Sequence, residues 1–385
     1  MDRIGRFCAE LERAGLAGAL VMHPVSVYYL AGTGQPANLL VVPGREPVLY
    51  ARRYVSLARE SSWVADVREG AGFSAIELPE LDGPLGMELD VLPAALVASA
   101  QRRLGEVADC SEALWAVRAV KDEGEIAAMR DSVGLFDALH AAICEHLRPG
   151  ITELELSAEV ARALRRAGHD GVVWQHRWDA KLAMEGTLAS GENLSTISRG
   201  PITVTGVGLG DAFPMGASRR EIQHGDTVLV DLGLNKAGYH ADMARTYAVG
   251  EVSDEMRRLA GICRELEDVG LAVIRPDVTA ASVYDATRDA AERLGVLDTF
   301  QGGGPYIGHA IGLELDEPPV LGPGDETPLQ EGMVLTVEPK LISPEFGAVN
   351  IEDDVVVTSG GCEILGDLPR ALFVVDEHGE TTTVP

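Results

Sequence analysis

The chain has 385 residues, 46% of them hydrophobic, and carries 60 Asp plus Glu against 32 Lys plus Arg, a formal net charge of −28. That length exceeds what one core usually organises and fits two domains. The acidic excess argues against nucleic acid and anionic membranes as partners, because phosphate binding relies on clustered Lys and Arg and no basic stripe is present. Lysine occurs only at Lys121, Lys181, Lys236 and Lys340, so arginine supplies nearly all the positive charge. The cysteines Cys8, Cys110, Cys144, Cys263 and Cys362 are scattered and lack CxxC spacing. That pattern suits reduced thiols in a cytoplasm better than a disulfide framework. The first residues carry acids where a signal peptide needs a positive start, and no apolar run approaches the roughly 18 residues of a membrane span. A cytoplasmic location is expected.

In chain order, Ile4, Phe7, Cys8, Leu11 and Ala14 follow helical spacing up to Gly15, and strands are expected at 17–22, 39–42 and 48–50. Strands alternating with helices predict a small N-terminal α/β domain. Residues 77–90, rich in Pro, Gly and acids, read as a surface loop within it. Apolar residues at 92–104 and 113–120 lead to a boundary near 115, giving domains 1–115 and 116–385. Helices are then expected at 122–147, stopped by Pro149-Gly150, and at 153–167, opened by a capping box of Thr152 and Glu155. A strand pair follows at 228–249, turning at 235–238, then helices at 254–274 and 280–294 and a second strand region at 333–358. Two helix-helix-hairpin halves imply a pseudo-twofold α+β domain with helices packed outside its sheet.

Each half delivers two acids into strand-like apolar sequence: Asp231 and Asp242 from the first, Glu338 and Glu352 from the second. His309 ends the Gly-rich connection 302–309, where little side-chain bulk leaves room for a ligand. Any one of these acids alone is more often an edge or turn residue, and one histidine more often structural. Together they are hard to bury unless something positive neutralises them, since an isolated buried carboxylate costs several kcal/mol or takes up a proton. Four converging carboxylates with one neutral imidazole balance two divalent cations better than one. His240, two residues from Asp242 on a strand, shares its face and is a candidate to orient a ligand or touch substrate. His176 and Arg177 precede the polar loop 186–218 and are candidates for a clamp over the site. The glycines of 206–210 lack the next Gly and the following helix of a dinucleotide loop, and read as flexible backbone.

These local sequences resemble the pita-bread metallopeptidases: methionine aminopeptidases, Xaa-Pro aminopeptidases, prolidases and creatinases. The residues that carry the likeness are Val230-Asp-Leu-Gly233, Gly238-Tyr-His-Ala-Asp-Met-Ala-Arg-Thr246, Gly308-His-Ala-Ile-Gly-Leu-Glu314, Thr336-Val-Glu-Pro339 and Ile351-Glu-Asp-Asp354, within about 115–375. Tyr28-Tyr-Leu-Ala-Gly32 resembles the N-terminal domain of the prolidase and creatinase branch. The resemblance implies a creatinase-like N-terminal domain, a pita-bread catalytic domain, and a homodimer. It implies that Asp231, Asp242 and Glu352 hold one metal and that Asp242, His309, Glu338 and Glu352 hold the other. Oxygen-rich coordination with one imidazole suits Mn²⁺ or Co²⁺, with Fe²⁺ or Zn²⁺ also compatible. Glu338 is then the expected proton carrier in attack on a carbonyl.

The branch's usual substrate-site histidines are missing. Met215, Asp316 and Pro305 stand at three of those positions, and Asn350 replaces an arginine expected before the last ligand. Thioether, carboxylate and proline cannot donate the hydrogen bond a neutral imidazole offers. Asp316 becomes a candidate to touch substrate instead. The first expectation is a dinuclear-metal hydrolase of a peptide or amide C–N bond, Xaa-Pro aminopeptidase- or dipeptidase-like, on a small peptide or amino-acid derivative. Creatinase-like or lyase chemistry on a small non-peptide substrate is the alternative, and a non-catalytic pita-bread binding protein a third.

Overall fold

The computed structural model describes residues 2–70, 72–176, 186–197, 204–376 and 378–384. The chain divides into two compact units, 1–119 and 120–385.

The first unit runs α1 (Arg3–Arg13), β1 (Gly18–Val21), α2 (Pro24–Ala31), β2 (Ala37–Val41), β3 (Val48–Ala51), α3 (Val55–Ser61), β4 (Asp66–Glu69), β5 (Leu85–Met87), α4 (Ala94–Leu104), β6 (Val107–Asp109) and α5 (Ser111–Ala119). Its sheet has the order β4-β3-β2-β1-β5-β6, antiparallel at β1-β2 and β2-β3 and parallel elsewhere. Asp2 caps α1 by accepting from the Gly5 N–H at 2.9 Å, and Phe7 and Leu11 turn the helix's apolar face inward. One expectation needs correction here. Residues 77–90 are not loop throughout, because Leu85-Gly-Met87 is a buried strand between β1 and β6. Three residues amid Pro, Gly and acids give no alternation to read. Residues 24–31 form a helix, with Pro24 in its first turn and Gly32 at φ 76° closing it.

The second unit runs α6 (Glu123–Val133), α7 (Leu135–His146), α8 (Glu153–Ala167), β7 (Thr187–Ser190), β8 (Thr227–Lys236), β9 (Tyr239–Val249), α9 (Asp254–Val273), α10 (Ala280–Arg293), β10 (His309–Ala310), β11 (Glu317–Val320), β12 (Val334–Val337), β13 (Lys340–Ser343), β14 (Gly347–Asn350), β15 (Asp353–Thr358), β16 (Gly361–Ile364), β17 (Leu372–Val375) and β18 (Thr381–Val384). The helix expected over 122–147 is two, α6 and α7, meeting at Gly134, whose N–H is shared between Arg130 O and Ser132 O. The Thr152–Glu155 capping box opens α8 as the spacing predicts.

Two five-stranded sheets make up most of this unit, ordered β18-β17-β9-β8-β7 and β11-β10-β12-β15-β16, with β13-β14 as a separate hairpin. Strands β8 and β9 form the long hairpin, closed by Ala237 and Gly238 at φ 53° and 84°, the left-handed pair a two-residue turn requires. Almost every residue of both strands is buried, so any polar side chain there must find its partner inside. A bridge between Ala244 and Glu352, with the Glu352 N–H donating to Ala244 O at 3.2 Å, ties β9 of one sheet to the start of β15 in the other. The acids gather at that seam.

Candidate metal centre

In the β8–β9 register Asp231 lies opposite Ala244 and Asp242 opposite Gly233. Directly paired residues and residues two apart share a face, so both carboxylates leave the hairpin on one side. The Ala244 bridge carries Glu352 to the same place. Glu338 sits between β12 and β13, and His309 enters from β10, whose Ala310 pairs with Leu335 of β12. Gly308 permits that approach: at φ 153°, a Cβ there would overlap Thr336 O.

Carboxylate oxygens of Asp231, Asp242 and Glu352 lie within 4.8 Å of one another, and all three residues are buried. Thr336 Oγ1 donates to Glu352 Oε1 at 2.7 Å, and the Asp242 N–H donates to Asp354 Oδ2 at 3.0 Å. Arg245 donates from Nη1 to Glu352 O at 2.7 Å and from Nη2 to Asp353 Oδ1 at 2.8 Å, which fixes the backbone under the last acid. Asp242 Oδ1, by contrast, is buried with no hydrogen-bond partner among the described residues. Burial, then the neighbouring Asp231 and Glu338, push the Asp242 carboxyl far above the usual carboxylate range. Burial and Asp242 do the same to Glu352.

His309 Nδ1 lies 3.1 Å from Ala310 O, which can only accept, so the ring proton belongs on Nδ1 and Nε2 presents a lone pair. That lone pair faces Asp316 Oδ1 at 3.4 Å, Glu338 Oε1 at 3.7 Å and Asp242 Oδ2 at 3.9 Å. Acceptors aimed at one another with nothing positive between them are repulsive. A divalent cation among these oxygens and the imidazole removes that repulsion and gives Asp242 Oδ1 its missing partner. The donor set therefore fits a metal ion.

One cation is already present. Lys340, 2% exposed at its side chain, opens β13 with Nζ 3.0 Å from Asp231 Oδ2 and 2.5 Å from Glu338 Oε2. Burial opposes its charge, but Asp231, Glu338 and Glu352 outweigh burial and hold the ammonium proton more tightly than in water. Sequence reasoning missed this residue. The available signal was a lysine two positions after Glu338 in an apolar run, in a chain that otherwise prefers arginine.

The remaining candidates separate. His240 is fully buried, its Nε2 accepting from the Trp174 N–H at 3.1 Å and its Nδ1 facing Gly312 O at 3.2 Å. Burial lowers its pKa to about 4, so the ring is neutral, and both nitrogens brace backbone. That arrangement corrects the expectation that His240 touches substrate, since no ring nitrogen is left for it. His176 packs its Nδ1 3.1 Å from Glu314 Oε2, and Gln175 Nε2 donates to Asp316 Oδ2 at 3.5 Å, so residues 174–176 lie along the segment that follows His309. Asp316 is 32% exposed at its side chain. Arg177 lies outside the described residues. Met215 lines a hollow with Leu154, Leu209 and Phe213 beside α8.

The description "Metallopeptidase family M24" matches residues 127–359, and "Creatinase/Prolidase N-terminal domain" matches residues 3–120. The chain is 29% identical over 394 residues to the "Probable dipeptidase PepE" of Mycobacterium tuberculosis, covering 97% of this chain and 96% of that protein. It is 27% identical over 377 residues to the Xaa-Pro dipeptidase of Pyrococcus furiosus, covering 97% and 99%. Among solved structures, the Xaa-Pro dipeptidase from Bacillus anthracis superposes with a TM-score of 0.83 at 28% identity, covering 97% of this chain and 99% of that one. The dipeptidase PepE from Mycobacterium ulcerans superposes at 0.79 with 26% identity, covering 97% of each. With a creatinase-like first domain, a pita-bread second domain and this cluster at its seam, the chain is an enzyme belonging to metallopeptidase family M24.

Proposed function

We propose that the chain is a divalent-metal-dependent dipeptidase of the Xaa-Pro type, cutting the C–N bond of a short peptide near its amino end. The observation that carries this reading is the buried Asp242 carboxylate, whose Oδ1 has no hydrogen-bond partner among the described residues and whose Oδ2 lies 3.9 Å from His309 Nε2, in a cluster with Asp231 and Glu352. Asp231, Asp242, His309, Glu338 and Glu352 are the candidate donors for metal, with Mn²⁺ or Co²⁺ favoured; the family resemblance implies two ions, a count that the position of Lys340 reopens below. A bound ion supplies Lewis acidity and an acidified water usable near neutral pH.

The chain's own residues do the rest. Glu338 takes the proton of the attacking water and returns it to the leaving amine nitrogen. Asp316, partly exposed beside His309, offers its carboxylate to the substrate's cationic amino terminus, a charge-assisted contact in place of an imidazole. His176, held beside Glu314, and Arg177, next to it in the sequence, are the candidates for a substrate clamp. His240 positions Trp174 and the Gly312 turn. A cytoplasmic homodimer completes the proposal.

The test is release of free amino acid from Xaa-Pro dipeptides, set against Ala-Ala, Met-Ala and creatine, with and without EDTA. Cleavage that EDTA abolishes and Mn²⁺ restores is expected. Asp316 and Met215 in place of histidines favour a second reading, hydrolysis or lysis of a small non-peptide substrate. Protein that loads metal fully, turns over creatine and leaves every peptide intact establishes that second reading instead.

A further inference from the structure

We infer that the Lys340 ammonium replaces one of the two cations this acid cluster would otherwise need, so that the centre binds a single divalent ion held by Asp242, His309, Glu338 and Glu352. The inference rests on the metal-dependent reading above and sharpens it.

The argument turns on how the oxygens are shared. Asp242 and Glu352 are common to both expected ligand sets, so Asp231 is the only ligand belonging to the first ion alone. Its Oδ2 is taken by Nζ at 3.0 Å. Glu338 is divided between two tasks: Oε2 meets Nζ at 2.5 Å, while Oε1 faces His309 Nε2 at 3.7 Å. The ammonium therefore lies on the Asp231 side, and the lone pair of His309 marks the side where the protein's own side chains supply no cation. A lysine side chain only 2% exposed keeps its head there only if the acids are its partners, because no route to water remains. A second dication, expected about 3.5–4 Å from the first in two-metal sites, would have to share Asp231 with that ammonium and be repelled by it.

A rival role exists. Lys340 stands directly opposite Asn350 in the β13–β14 register, where an arginine is expected, and could merely brace Asp231 in a centre that still holds two ions. Counting ions separates the two.

The experiment strips the full-length native protein with EDTA, titrates it with Mn²⁺, and reads bound equivalents by elemental analysis and magnetic coupling by low-temperature EPR. One equivalent with the signal of an isolated Mn²⁺ is expected. Lys340→Ala should bind two equivalents and show an exchange-coupled pair. Two coupled ions in the native protein overturn the inference and leave the hydrolase reading standing. No bound Mn²⁺ at all overturns the hydrolase reading itself, and this inference with it. Should Lys340→Ala fail to fold, the native count alone decides.

Discussion

Two buried acids in the same unit show opposite solutions to one problem. Glu153, at the start of α8, is fully buried, and its Oε1 accepts from the Ser190 N–H and Oγ at 2.7 Å each and from Asn193 Nδ2 at 3.1 Å. Its Oε2 accepts from the Ser218 N–H at 2.9 Å, Ser218 Oγ at 2.6 Å and Asn193 Nδ2 at 3.1 Å. Asp242 is also buried, yet one of its oxygens has no partner among the described residues and its neighbours are other acids. Burial alone does not mark a site. What marks it is whether the surrounding protein supplies the donors, and around Asp242 it leaves that task to a cation.

The sharpest way to break the contrast is Asp242→Ala. It should abolish metal binding and lower kcat/KM by at least about a thousandfold, since several kcal/mol of charge stabilisation go with the ion. Unchanged metal content would contradict the assignment. Glu338→Gln keeps an oxygen ligand but cannot carry a proton, and kcat should fall about 10²–10⁴-fold with KM little altered. Steady-state kinetics on a metal-loaded sample check it, and a change confined to KM would remove Glu338 from proton transfer. On the other side of the contrast, Glu153→Ala leaves Ser190, Asn193 and Ser218 without their common acceptor. It should cost about 3 kcal/mol in denaturant unfolding while metal content stays at the native value.

A pH series sharpens the same contrast. In the metal-free protein the Asp242 and Glu352 carboxyls lie above their unfolded values, so the folded state holds protons more tightly than the unfolded one. Metal-free protein should therefore gain stability from these groups as pH falls from neutrality toward the unfolded carboxylate range near about 4, and lose it as pH rises. Protons compete with the ion, so the stabilisation conferred by metal should shrink over the same window. Calorimetric unfolding with and without EDTA tests this, and parallel curves would refute it. The smallest effect belongs to Asp316→Asn, which should raise KM for a dipeptide about tenfold, the worth of one charge-assisted contact at a partly open position. The same change measured on an N-acetylated substrate should do little.

The hairpin acids were legible in the sequence because Asp231 and Asp242 interrupt long apolar strands, and the capping box of α8 because its four residues are local. Glu153 was not legible as a buried knot, because its donors come from Ser190 and Ser218, far along the chain, and the residue alone looks like an ordinary first-turn acid. Asp354, which accepts from the Asp242 N–H 112 residues away, was hidden for the same reason. Strand β5 was too short to show a period. Lys340 was readable in principle, but β12 ends at Val337 and β13 begins at Lys340, so no continuous alternation placed its side chain with Glu338.

The measurement that tests the central claim most directly is the unfolding temperature of EDTA-stripped native protein as Mn²⁺ is added, with Asp242→Ala as control. At about a hundred times the dissociation constant the account predicts about 2.7 kcal/mol of stabilisation, a rise of several degrees in the native protein and none in the variant. No rise in the native protein, or the same rise in both, would contradict it.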